Sequence, residues 1–437
     1  MAEALTTSTS VVDDGVATSP VPPRRPQPLG LFPLPLGYML IPANQDDEAT
    51  EAAREMMLDG RLPEFWPAGL RAHELAAAGD RDAAIAALES QADPVSRYNR
   101  FVLDSDSIDP GDLRSVLGEF AVLVDVVLFT LGRTDTPPVF GGGQGEVAAA
   151  VLSAQASHAL ADGNSEVATE LLDRAAEAAE CASAPLAGLL MGAAGAIARD
   201  GGHPDCVARL QKALAALDGA NGLRVARAEI HMCLAGALHE QAQQRPELLA
   251  TAIPHYHSTL QLIKRDDAPL LWAGAHAGLA TAYLTMPMVE ASGQLRLGVA
   301  AQSLRSALTV YTREKYPAEW ASVQLNLANS LVYTPSRHQR ENLVEAVEIY
   351  EALLQMRDRT TDPVGRARVL TNQGNVLAHL GVFDDAKARL YEARFLFEEL
   401  GDNESVRTVR GVLDEIARQR VLSTTDDTGG TDVHSRH

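Results

Sequence analysis

One spacing of small and large residues recurs along this chain and restricts it to paired helices. A small residue is followed three positions on by a large one and seven on by a glycine. A second small residue comes twelve on, a large one sixteen on and a small one nineteen on. Ala72, Leu75, Gly79, Ala84 and Leu88 keep this spacing, as do Ala156, Gly163, Ala168, Leu172 and Ala175, with Ala159 at the first large position. Ala194, Ile197, Gly201, Cys206, Leu210 and Ala213 form a third set, and Gly374, Leu377, Gly381, Ala386, Leu390 and Ala393 a fourth. Steps of three, four and seven return to one face of a helix. The glycine supplies the turn. The small positions admit a neighbouring helix, and the large ones fill the gap between hairpins. Four such sets in one chain are hard to produce by chance, even where alanine and leucine are common.

Three further sets have longer turns. Ala235 and Leu238 lead to Ala252 and Tyr256, Ala280 and Tyr283 to Ala300, Leu304 and Ala307, and Ala328 and Leu331 to Ala346, Tyr350 and Leu353. LWAGAHAGLATAYL (271–284) aligns without gaps on EWASVQLNLANSLV (319–332), Trp272 falling on Trp320 at a register of 48 residues. The next step, Ala328 to Gly374, is 46.

These sets resemble the tetratricopeptide repeat family in its long-turn bacterial form, over about residues 66–420. The resemblance implies an all-α, right-handed α-solenoid of roughly eight hairpins whose first helices line a concave groove that binds other proteins. The chain departs from the family's consensus of about 34 residues at the three longer turns. It departs again over 97–132, where helices are expected without a clean repeat. Composition agrees with an all-α reading. Hydrophobic residues make up 46% but aromatics only 5%, so the apolar content is mostly helix-forming alanine and leucine, with valine.

The ends read differently. Residues 1–27, rich in Ser, Thr and Pro, and residues 421–437 cannot bury a core and are expected to be disordered tails. The N-terminus lacks the basic and apolar regions of a secretory signal, and cytoplasmic placement is expected. Residues 28–65 are read as a capping segment. Within it GLFPLPLGYMLIP (30–42) is apolar and broken by prolines, so it is expected to lie extended across the first hairpins, or else to dock a partner. The helix at about 404–420, charged on most faces, suits a C-terminal cap.

Charge narrows the partners. Lys and Arg number 37 against 58 Asp and Glu, a net charge of −21, which repels phosphate backbones and anionic membrane surfaces. Neither nucleic acid nor a membrane is expected as a partner. The apolar run Ala121–Leu131 is too short to span a bilayer and contains Asp125. Three cysteines, Cys181, Cys206 and Cys233, fit neither a disulfide framework nor a zinc ribbon.

The chain lacks the patterns that carry chemistry. GGGQGE (141–146) has no Lys-Ser or Lys-Thr after its glycines and reads as a linker. His255 and His257 fall on different helix faces, and His231 and His239 stand about two turns apart, so no metal site or cofactor is expected. No nucleophile-elbow, zincin or nucleotide fingerprint occurs, and no enzymatic activity is expected.

The resemblance points to candidate binding residues. In the family, groove positions lie six before, two before and one after the small crossing residue of the first helix. In one repeat these are Ser322, Asn326 and Asn329, and in the next Arg368, Asn372 and Asn375. Asparagines can hold an extended peptide backbone, and Arg368 could pair with a carboxylate. The pattern is similar to the carboxylate-clamp grooves of some members. The preceding repeat offers Gly274, Gly278 and Thr281, without charge. The competing reading has the asparagines bridging neighbouring helices inside the array. Two functions follow as expectations. One is a scaffold or adaptor for a protein partner, an assembly factor for a multisubunit enzyme being one version. The other is a ligand- or peptide-responsive regulator, or an enzyme with a cryptic site.

Overall fold

A computed structural model describes residues 27–28, 39–42, 47–139, 145–181, 183–286, 290–333 and 338–428. Most of the expected N-terminal tail, residues 30–38 of the apolar segment, and 141–144 of the glycine stretch lie outside these residues. The chain divides into two units, 1–271 and 272–437.

The N-terminal unit opens with β1 (Gln27–Pro28), antiparallel to β2 (Leu40–Ile41). Helices follow: α1 (Glu48–Leu58), α2 (Arg71–Ala77), α3 (Arg81–Glu89), α4 (Pro94–Leu103), α5 (Pro110–Leu117) and α6 (Ala121–Thr130). Three hairpins come next, formed by α7 (Glu146–Ala161) with α8 (Ser165–Glu180), α9 (Ala184–Asp200) with α10 (Cys206–Ala216), and α11 (Arg224–Gln241) with α12 (Leu248–Leu262). The C-terminal unit holds α13 (Pro269–Thr285, which begins before the division), α14 (Glu290–Leu308), α15 (Pro317–Tyr333), α16 (Gln339–Leu354), α17 (Pro363–His379), α18 (Phe383–Glu399) and α19 (Asn403–Thr428).

Local chemistry sets these ends. Asp93, Asp109 and Asp362 accept from backbone N–H groups at their helix starts, each followed by a proline whose missing N–H costs nothing there. At the other end, Gly79, Gly163 and Gly381 take φ of 79°, 78° and 79°. Each makes a double closing pattern, as where Gly381 N donates to Ala378 O and Val382 N to Leu377 O. An L side chain is strained at that φ, which is why glycine recurs there.

The third set is corrected by one residue. Gly201 is right-handed at φ −79°, and Gly202 is the turn glycine at φ 69°. The closing bonds run from Gly202 N to Arg199 O and from His203 N to Ala198 O. The crossing residue is therefore Gly195 rather than Ala194. A Cβ on Gly195 would lie 2.9 Å from Leu210 Cγ, just as one on Gly374 would lie 2.6 Å from Leu390 Cγ. The connection to the second helix is shorter by one residue, which hid the shift.

Second helices supply a repeated core triad. Ala168, Leu172 and Ala175; Ala300, Leu304 and Ala307; and Ala386, Leu390 and Ala393 are all 0% exposed. Tyr256 and Tyr350 take the middle position in two long-turn hairpins and are also buried. In the C-terminal unit these triads join one continuous core, with Trp272 and Trp320 packed against it. Residues Val406, Val409, Leu413 and Ile416 bury one stripe of α19, while Arg407, Arg410, Glu415 and Arg418 remain exposed. This helix continues to Thr428, past the boundary at 420 read from the sequence.

The N-terminal unit departs from a stack in which repeats touch only their neighbours. Ser183 Oγ donates to Leu58 O at 3.1 Å, Gly222 N to Gly60 O at 2.9 Å, and Leu62 N to Asn221 Oδ1 at 3.1 Å. Gly60 is required here: its φ is 72°, and a Cβ would meet Ala220 Cβ at 2.7 Å. The segment after α1 is thus tied to the start of α9 and the turn before α11. Residues 39–42 lie extended and buried or half-buried beside α2 and α4, with Met39, Leu40 and Ile41 at most 1% exposed.

Candidate functional site

The C-terminal unit brings Asn329, Asn372 and Asn375, three of the six groove positions read from the sequence, into one cleft. It measures about 280 Å3 and is lined by Asn329, Tyr333, Tyr350, Asn372, Asn375 and His379, with Val332 and Val376. Asn329, Val332 and Tyr333 come from α15, Tyr350 from α16, and the rest from α17. A step of three along α17 sets Asn372 and Asn375 side by side.

Asn329 sits at the centre. The Tyr350 hydroxyl donates to its Oδ1 at 2.6 Å, and Asn372 Nδ2 donates to the same oxygen at 3.1 Å. Burial pushes the Tyr350 hydroxyl well above the ordinary tyrosine value, so it stays protonated and remains a donor. Both lone pairs of the Asn329 carbonyl are then used, which fixes its orientation and sends its Nδ2 the other way. Among the described residues neither Asn329 Nδ2 nor the Asn375 amide has a recorded protein partner. Tyr333 is 74% exposed at the rim.

Arg368 does not reach this cleft. It is exposed and lines a second, smaller one of about 140 Å3 with Thr371, Asn372, Phe397, Ser405 and Thr408. Asn372 is shared by the two clefts. Among the described residues Arg368 forms no ion pair, while Arg366, two positions before it, is held by Glu392 at 2.8 Å. Asn326 belongs to neither cleft. Its Nδ2 lies 3.4 Å from Thr281 Oγ1, a bridge between α15 and α13.

Tyr350 and Tyr333 were missed by reasoning from the first helix alone. Tyr350 carries a signal, because a tyrosine stands where other second helices have leucine. The exposed positions of Tyr333 and His379 at the ends of their helices carry none.

The N-terminal unit shows what a buried asparagine does to extended main chain. Leu40 N donates to Asn99 Oδ1 at 2.6 Å, and Asn99 Nδ2 donates back to Leu40 O at 2.8 Å. His73 Nε2 lies 3.2 Å from the same Leu40 oxygen and so must carry the hydrogen. Burial holds His73 down at about 4, against the pull of that bond, and the ring is neutral.

Cys206 and Cys233 are buried, Cys181 is exposed, and all three are free. Burial pushes the Cys233 thiol up to about 11, so it is protonated and unreactive. Among the described residues no group of three or more His, Cys, Asp or Glu is placed to hold a metal ion. No helix of the described residues is long and apolar enough to cross a membrane.

No family model matches the chain, and no curated protein does. Solved structures with a likeness include the tetratricopeptide domain of P58(IPK), 14% identical, covering 81% of this chain and 97% of that one at a TM-score of 0.28. Another is the Cut9–Hcn1 hetero-tetramer of the APC/C, 11% identical, covering 81% and 90% at a TM-score of 0.23. The turn glycines, crossing residues and core triads above define paired antiparallel helices within each unit.

Proposed function

We propose that this protein is an interaction scaffold whose C-terminal unit holds an extended segment of a partner protein in the asparagine-lined cleft. The observation that carries this reading is the arrangement around Asn329. Its carbonyl is fully engaged by Tyr350 and Asn372, which leaves an oriented amide beside Asn375 and the exposed Tyr333 in an open cleft. Oriented amides of this kind can pair with the N–H and C=O of an extended backbone. The Asn99 side chain does this with the Leu40 peptide elsewhere in the same chain.

The cleft lining has no carboxylate, although the chain carries a net charge of −21. A neutral, amide-rich surface suits main-chain recognition more than proton transfer. Asn326 stands outside this role and is assigned to helix bridging. Arg368, in the neighbouring cleft, would extend the contact to an acidic group of the partner. An assembly role in a multisubunit enzyme is one version of such a scaffold, in a cytoplasmic setting.

The test is capture of a partner followed by its identification by mass spectrometry. Asn375→Ala with Tyr333→Ala is the informative variant, because neither residue is tied into the Asn329 network. It is expected to lower affinity for the identified partner on the order of tenfold or more while leaving the thermal midpoint unchanged. Full retention of affinity by that variant rejects the cleft as the binding site.

A further inference from the structure

A different cleft, of about 460 Å3, lies in the N-terminal unit between α10, α11 and α12, and its lining includes Gln211, Asp218, Arg227, His231 and His255. It shares no residue with the asparagine clefts and plays no part in the scaffold reading.

His231 and His255 come from the two helices of one hairpin and face each other. Their Nδ1 atoms are 2.9 Å apart, with the rings tilted by 32°. Only one hydrogen fits between two nitrogens at that distance. The neutral pair is therefore one Nδ1–H tautomer donating to one Nε2–H tautomer. Adding one proton keeps the Nδ1–H···Nδ1 bond and puts a hydrogen on both Nε2 atoms. The pair then carries one positive charge and two outward donors.

Burial lowers both imidazoles, His231 to about 4, and His231 is lowered further by His255 and by the Arg227 guanidinium. Asp218, in the turn after α10, is the one carboxylate among the lining residues. Arg227 is half-buried and has no ion pair among the described residues. Its neighbours differ: Arg199 pairs with Glu240, Arg209 with Asp173 and Arg224 with Asp267. Arg227 thus sets a guanidinium without an ion pair beside two imidazoles that share one hydrogen.

We infer that this cleft binds an oxyanion of the phosphate or sulfate class and takes up one proton as it does so. Arg227 supplies a planar fork of donors matched to such an anion, and the proton-bridged histidines supply two more. A bound anion adds negative charge beside the imidazoles, and so favours the protonated pair. The cleft volume suits a small ligand.

Sodium sulfate is the probe, because its charge stays constant while the protein titrates. Calorimetric titration of the full chain near pH 6 and near pH 8, in buffers of different ionisation enthalpy, reads affinity and proton uptake together. One-site binding is expected with uptake of about one proton near pH 6 and little near pH 8, and with affinity weaker on the order of tenfold at the higher pH. Arg227→Gln is expected to weaken binding on the order of tenfold at both pH values, and His255→Gln to remove the pH dependence. Thermal unfolding checks that both variants fold. Free O-phosphoserine, compared with a phosphoserine peptide, then tells a small metabolite from a modified protein as the source of the anion. No saturable sulfate binding at either pH, or binding that both variants retain with its pH dependence, overturns the inference.

Discussion

Asn99 pairs with the peptide of Leu40 on both sides, accepting from its N–H at 2.6 Å and donating to its C=O at 2.8 Å. The two residues are 59 positions apart, and both are essentially buried. A single side chain thus stands in for the edge of a neighbouring strand. It joins the extended segment before α1 to the first hairpins.

Loss of this amide should be costly. Asn99→Ala leaves the Leu40 N–H buried without a partner, while Leu40 O keeps only His73. The expected destabilisation is about 3 kcal/mol, as for a buried donor left unpaired together with a lost hydrogen bond. Asn99→Asp should also destabilise, since a carboxylate still accepts from Leu40 N but cannot donate to its oxygen. Urea unfolding of the full chain checks both variants, and an unchanged midpoint would show that the segment is not held here.

Crossing glycines and exposed helix glycines should respond in opposite directions. A Cβ on Gly374 would lie 2.6 Å from Leu390 Cγ and 3.3 Å from Ala386 O, so Gly374→Ala forces α17 and α18 apart. A loss of about 1–3 kcal/mol is expected. Gly411, within α19, has nothing within 4 Å of its Cβ position. There Gly411→Ala should add about 0.5–1 kcal/mol by removing freedom from the unfolded chain. Thermal midpoints of the two variants, moving in opposite senses, check the pair.

Stability should pass through a maximum with pH because two buried groups act in opposite senses. His73 is lowered to about 4 by burial, so the unfolded chain binds its proton first as pH falls. The stability contributed by neutral His73 is present above about 6.5 and is lost between there and about 4. Glu229 is raised to about 7 by burial, and its Oε2 has no hydrogen-bond partner. The unfolded chain gives up that proton first, so stability falls as pH rises from about 4.5 through about 7. Glu229→Gln should therefore raise the thermal midpoint near pH 8 and change little near pH 4, and His73→Gln should flatten the acid limb. Denaturant midpoints across this range check both signs.

Much of the hairpin architecture was legible in the sequence because its rules are local. A helix returns to the same face every three or four residues, so Ala386, Leu390 and Ala393 declare a buried stripe without reference to anything distant. A turn glycine such as Gly381 declares itself by the same short-range geometry. The alignment of Trp272 on Trp320 likewise reports two copies of one packing solution.

What the sequence left open depended on connection lengths and on which helices meet. Ala194 and Gly195 are both small, so either could be the crossing residue; only the positive φ of Gly202 and the approach of Leu210 decide for Gly195. Asn326, Asn329, Asn372 and Asn375 looked alike from spacing. Stacking of the hairpins ties Asn326 to Thr281 and gathers the other three in one cleft around the Tyr350 hydroxyl. His231 was set aside with His239 on the same helix, yet it meets His255 on the next. Periodicity along a helix is set by its own backbone, so the sequence alone determined the paired helices and their buried faces. Contacts between helices depend on turns of varying length and on how far each helix slides against its neighbour, so only the tertiary structure decided which polar side chains come together.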